Sequence, residues 1–132
     1  MRLKIIMSTI GSSGLMLLFS STLIAGECEP QWHNSVSISD DKLTLSQSKQ
    51  TFVIKDDGQL YFDIHKVKLD PDQTQLLVQY YQTINNDLPY LLSHGQHVNT
   101  KVCQFVNLRM QQERQIRQHI PALKSWESVN LL

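Results

Sequence analysis

The chain has 132 residues and a mass of 15.2 kDa, a length for which one compact domain is expected rather than two. Its 12 basic and 12 acidic side chains cancel, so the global positive field of a nucleic-acid binder is absent. Two cysteines exclude a multi-bridge knot and any zinc site built from cysteine alone.

The first element is an address. Met1-Arg2-Leu3-Lys4 is a short basic start, and Ile5 to Gly26 is an uncharged run of 22 residues centred on Leu15–Phe19. Small residues precede Glu27. This is the layout of a secretory signal peptide over residues 1–26, cut after Ala25 or Gly26. An uncleaved membrane anchor is the alternative, because 22 uncharged residues are long enough to cross a bilayer. A lipoprotein box would need Cys directly after the small residue, and Glu27 intervenes before Cys28. Without residues 1–26 the remaining 106 carry 10 basic against 12 acidic side chains, a net charge of −2. The expected location is the periplasm.

Residues 34–69 read as strands. Val36-Ser37-Ile38-Ser39 and Leu43-Thr44-Leu45-Ser46 alternate apolar and polar with period two, broken by Asp40-Asp41-Lys42. Thr51–Lys55 and Leu60–Ile64 are β-branched and aromatic runs joined by Asp56-Asp57-Gly58-Gln59, a hairpin signal. Val67-Lys68-Leu69 adds a last short strand. The period then becomes helical. Asp70-Pro71-Asp72-Gln73 is a helix start, with a capping Asp, Pro at the first helical position and a capping-box Gln. Leu76, Leu77, Tyr80, Tyr81 and Ile84 form its apolar stripe. Asn85-Asn86-Asp87 marks its end, and a second helix runs from Leu88 to about residue 119, with a break or kink near Gly95. The expected fold is therefore α+β. A small antiparallel meander of three to five short strands precedes two helices, about 71–85 and 88–119, within a single domain 27–132, after an N-terminal signal helix.

The order of these parts resembles the YggN-like family, bacterial exported proteins of unknown function. Four places carry the resemblance: Cys28 just after the leader; Phe52 to Tyr61 around Asp56-Asp57-Gly58; Val67 to Gln73 leading to Tyr80-Tyr81 and Asp87-Leu88-Pro89; and Val102-Cys103 followed by a polar, basic helix with Arg109 and Arg114. Longer members carry a helical segment between the Leu-Pro element and the late Cys. Here Pro89 and Cys103 are only 14 positions apart. The resemblance implies a periplasmic address and brings no activity with it.

Few residues offer chemistry. Cys28 and Cys103 are the only thiols of a chain that reads as exported, so a disulfide is expected. Closing 75 positions stabilises a fold by about 4–5 kcal/mol in the chain-entropy picture. His94 and His97 are three apart, and a metal site would need a third ligand such as His33, His65 or Asp63. No His-Glu-x-x-His, nucleophile elbow or phosphate-cradling loop occurs, so no metal, cofactor or catalytic residue is assigned. Arg109, Arg114, Arg117, His119 and Lys124 read as a solvated basic face. Trp126, Val129 and Leu131 either pack back on the domain or form an apolar tail. The leading reading is a non-enzymatic binding or interaction module; the alternative is a metal-dependent or hydrolytic enzyme using His and Asp residues. Both sheet faces carry apolar groups, which makes Tyr61, Tyr80 and Tyr81 the expected contact surface. The partner would be a periplasmic protein or a second copy, with no nucleic acid, and membrane contact only through an uncleaved signal segment.

Overall fold

The computed structural model describes residues 28–94 and 96–132, and the elements below are those of the described residues. The signal peptide, its cut and the signal helix all lie outside them. The architecture is α+β, as the residue periods require. Strand β1 (Pro30–Trp32) is followed by β2 (Ser35–Ser39), β3 (Lys42–Gln47), β4 (Gln50–Lys55), β5 (Leu60–Phe62) and β6 (His65–Val67). Helices α1 (Pro71–His94) and α2 (Thr100–His119), a 3-10 turn (Pro121–Leu123) and β7 (Val129–Leu131) complete the order. Strands β2 to β6 form an antiparallel meander in sequence order, and β1 pairs antiparallel with β7 in a separate ribbon.

Turn chemistry sets the register. Asp40 and Asp41 both take positive φ between Ser39 and its partner Lys42, the backbone that a two-residue hairpin loop demands and that Asp tolerates. Gly58 has φ +88°, and its amide closes the β4–β5 turn onto the Lys55 carbonyl at 2.9 Å. It also lies beneath α1. A Cβ at that position would meet the Thr74 carbonyl oxygen at 2.6 Å and Val78 Cγ2 at 2.8 Å, so the close approach of helix to turn depends on glycine. Alternation does the rest. Leu43, Leu45, Phe52, Ile54 and Leu60 share the face beneath α1, where Leu77, Tyr80, Tyr81 and Ile84 cover them. Each such aliphatic side chain contributes about 1.5–3 kcal/mol by leaving water. The other face carries Thr44, Val53 and Tyr61 in register, and these stay half-buried.

Helix α1 starts as its sequence says. Asp70 Oδ1 accepts from the Gln73 amide at 2.8 Å, and the Asp70 amide donates to Gln73 Oε1 at 2.9 Å. Its end corrects the sequence reading. The helix does not stop at Asn85-Asn86-Asp87; it continues to His94 with Pro89 inside, and α2 begins only at Thr100. Asn and Asp cost a helix only tenths of a kcal/mol each. Continuing about two turns past Asp87 brings Leu91 into a second apolar cluster with Val102, Val106 and Val129. At Thr100 the reason for a start is local: Asn99 Oδ1 accepts from the Val102 amide at 2.8 Å, an N-cap. The open question of the C-terminal segment resolves toward packing. Trp126 and Val129 are buried, Trp126 within the main core.

Candidate functional site

The chain's disulfide determines where its unusual side chains meet. Cys28 is bonded to Cys103 in the first turn of α2, with Cα atoms 5.9 Å apart. The bridge clamps the strand that follows, β1, to the side of α2, where it pairs with β7 from Trp32↔Val129 to Pro30↔Leu131. Trp32 at the end of β1 is thereby held 47% exposed, its ring 5.6 Å from the Arg109 Cζ on α2. The last two turns of α1 face it with Leu88, Leu91 and Leu92. Together with Asn34, Ser35 and Val36 these residues line a cleft of about 570 Å3 with Arg109 in its wall.

Arg109 is 2% exposed. Its Nη1 donates to Ser128 Oγ at 3.4 Å, a long bond, and its Nε and Nη2 have no hydrogen-bond partner among the described residues. One helical turn on, Glu113 is fully buried and fully used. It accepts from Tyr80 Oη at 2.6 Å, from the Ser128 amide at 2.9 Å and from Ser128 Oγ. Trp126 Nε1 donates to Tyr80 Oη at 2.9 Å and completes the network. Guanidinium and carboxylate thus share a hydroxyl instead of pairing directly. The carboxylate is satisfied and one edge of the guanidinium is left over, an arrangement in which a buried cation has donors to give to something else.

The network also sets the alkaline behaviour of the fold. Burial, and then the Glu113 carboxylate, hold the Tyr80 phenol well above its usual value of 10.0. The unfolded chain releases this proton near pH 10 and the native chain keeps it, so the unfolded state binds fewer protons above pH 10. Stability should be intact below pH 10 and fall above it by about 1.4 kcal/mol per pH unit on account of Tyr80. Denaturant midpoints between pH 8 and 11 check this: Tyr80→Phe should reduce the slope, leaving the part due to Tyr81, whose phenol is also raised by burial, and an unchanged slope would contradict it.

Against the expected site residues the structure makes three corrections. Tyr80 is fully buried and Tyr81 nearly so, both in the main core, so neither forms an exposed edge; the sheet and the Trp126 segment cover them. Tyr61 alone is half-buried, with its hydroxyl on Gln59 Oε1 at 3.2 Å and the Lys55 ammonium 5.2 Å from its ring. Arg109 does not belong to the solvated basic face. It falls on the step 102, 106, 109, 113, 116, which is the buried face of α2. His94 is exposed and stacks on Tyr90 at 4.1 Å, and the His97 backbone amide donates to the His94 carbonyl at 3.0 Å. His33 sits at the cleft mouth against Asn130 and Glu127, His65 is on β6 and Asp63 in the β5–β6 turn. Among the described residues no three His, Cys, Asp or Glu side chains gather as a metal site would need. None of the described helices is long and apolar enough to cross a membrane.

Sequence reasoning missed Trp32, Glu113 and Ser128 as well as the role of Arg109. The signal that could have found the two charged residues is their spacing: Arg109 and Glu113 continue the Val102–Val106 step and so stand inside an apolar stripe.

No curated protein and no solved structure matches the chain. A family model described as a protein of unknown function, DUF2884, matches residues 28–98, from the disulfide Cys28 through all of the meander and α1. That span is more than half of the chain, which therefore belongs to the DUF2884 family of proteins of unknown function.

Proposed function

We propose that the chain is an exported, periplasmic protein of the YggN-like kind that works as a non-enzymatic binding module, and that its contact surface is the cleft between β1 and the end of α1. The observation that carries the binding reading is Arg109, a buried cation with two unused donors in the wall of a cleft whose apolar lining is Trp32, Val36 and three leucines and whose polar lining includes His33, Asn34, Ser35 and Gln96. A cleft of about 570 Å3 falls within the range of about 300–1,000 Å3 typical of small-molecule sites. Export is supported by the basic-then-apolar start of the sequence and by the disulfide, a bond that persists in oxidising compartments.

Native mass spectrometry of the protein recovered from periplasm after expression of the full-length gene tests both parts. The expected mature chain begins at Gly26 or Glu27 and carries a bound small molecule, and Trp32→Ala lowers the bound fraction several-fold while the denaturant midpoint moves little. An intact chain starting at Met1 would overturn the cleaved-export reading. A wild-type chain without a bound species, or one retained equally by Trp32→Ala, would overturn the cleft as the binding surface.

A further inference from the structure

We propose that the ligand of this cleft is a monoanionic carboxylate with an apolar tail, a medium-chain fatty-acid anion, whose head group pairs with Arg109. The inference deepens the binding-module reading and rests on it.

The head group follows from which guanidinium atoms are free. Nη1 is directed to Ser128, which leaves Nε and Nη2. Their N–H bonds lie side by side along one edge of the planar guanidinium. That edge matches the two oxygens of a carboxylate, and the resulting pair of charge-assisted hydrogen bonds is the strong form of arginine recognition. The charge follows from what lies behind. Glu113 is fully buried one turn along α2 and shares the Ser128 hydroxyl with Arg109. With Glu113 already offsetting its charge, Arg109 offers at most one positive charge, which a monoanion matches and a dianion such as a phosphate monoester exceeds.

The tail follows from the walls. Trp32 is 47% exposed and Leu92 is 78% exposed, large apolar side chains on opposite sides of the mouth. Of the polar side chains at the rim, Asn34 and His33 are already engaged, while Ser35 and Gln96 stand exposed. Asn34 Nδ2 donates to the Glu127 carbonyl at 2.7 Å, and His33 Nε2 contacts Asn130 Oδ1. A peptide would need rim donors and acceptors for its backbone, whereas an alkyl chain needs none. Nε and Nη2 are shielded from water, and Trp32 is the aromatic ring over the guanidinium. Entry of the head group therefore requires the half-exposed Trp32 side chain to swing aside, after which its ring packs along the alkyl chain.

The test is a calorimetric titration of the mature, disulfide-bonded protein with three probes below their aggregation concentrations: decanoate, 1-decanol and the free-acid tripeptide Leu-Leu-Leu. Decanoate should bind one per chain, at least about tenfold more tightly than decanol. Leu92→Glu, at an exposed rim position, should keep the fold and weaken both ligands by removing an apolar wall, decanoate more than decanol because the added carboxylate repels its head group. Arg109→Met, where it folds by circular dichroism, should erase the preference for decanoate. Equal binding of decanoate and decanol would overturn the carboxylate assignment and leave the binding cleft standing. Tighter binding of the tripeptide would overturn the fatty-acid assignment in favour of a peptide terminus. Failure of all three probes together with loss of the co-purifying species in Trp32→Ala would reject this ligand class alone; failure of all three with no co-purifying species would reject the cleft itself.

Discussion

Reducing the Cys28–Cys103 bond should lower the stability of the domain by about 4–5 kcal/mol, the largest effect expected of any single change. The cause lies first in the unfolded chain, where the bond removes the freedom of a loop spanning 75 positions. It is amplified by what the bond holds in place. Strands β1 and β7 are three residues each, and a two-stranded ribbon of that length does not persist unaided. The bond anchors β1 at its start, and the ribbon buries Val129 and presents Trp32 to the cleft. Small domains are stable by about 5 kcal/mol at the low end, so the reduced chain should be close to unfolded. Urea denaturation of wild type with and without reductant, and of the Cys28→Ser, Cys103→Ser double variant, measures this directly. A loss below about 1 kcal/mol would show that the bond is peripheral to the fold.

Glu113→Ala should cost about 3–5 kcal/mol, the range for removing one partner from a buried charged network. Three donors lose their acceptor at once: the Tyr80 hydroxyl, the Ser128 amide and the Ser128 hydroxyl. Arg109 also loses the carboxylate that offsets its charge. Glu113→Gln keeps one carbonyl oxygen in place and should cost less, about 1–3 kcal/mol. Thermal or urea unfolding of the two variants separates these values. Equal and small losses would mean that the network is satisfied in some other way.

The meander was legible because strand chemistry is local. Alternation in Leu43–Leu45 and Phe52–Ile54, the Asp40-Asp41 turn and Gly58 each determine their surroundings within a few residues. The capping box at Asp70–Gln73 is of the same kind. The end of α1 was not legible, because the weak helix propensity of Asn85-Asn86-Asp87 competes with the burial of Leu91 against a helix and a strand far along the chain. The site was less legible still. Trp32 and Arg109 are 77 positions apart, and they meet only because the disulfide and the β1–β7 ribbon bring the two chain ends together. Tyr80 and Tyr81 looked available because one helix cannot cover a sheet. The Trp126 segment, which returns after α2 to close the core over Tyr80, supplied the missing cover.

The central claim, that Arg109 is the receptor of the cleft, is tested most directly at its own side-chain nitrogen. In a nitrogen-15 spectrum of the mature protein the Nε–H resonance of Arg109, assigned by its loss in Arg109→Met, should shift downfield with saturation as decanoate is added, in step with the Trp32 indole N–H. It should stay in place when decanol is added at the same concentrations. An Arg109 resonance that does not move while decanoate binds elsewhere on the chain would contradict the account.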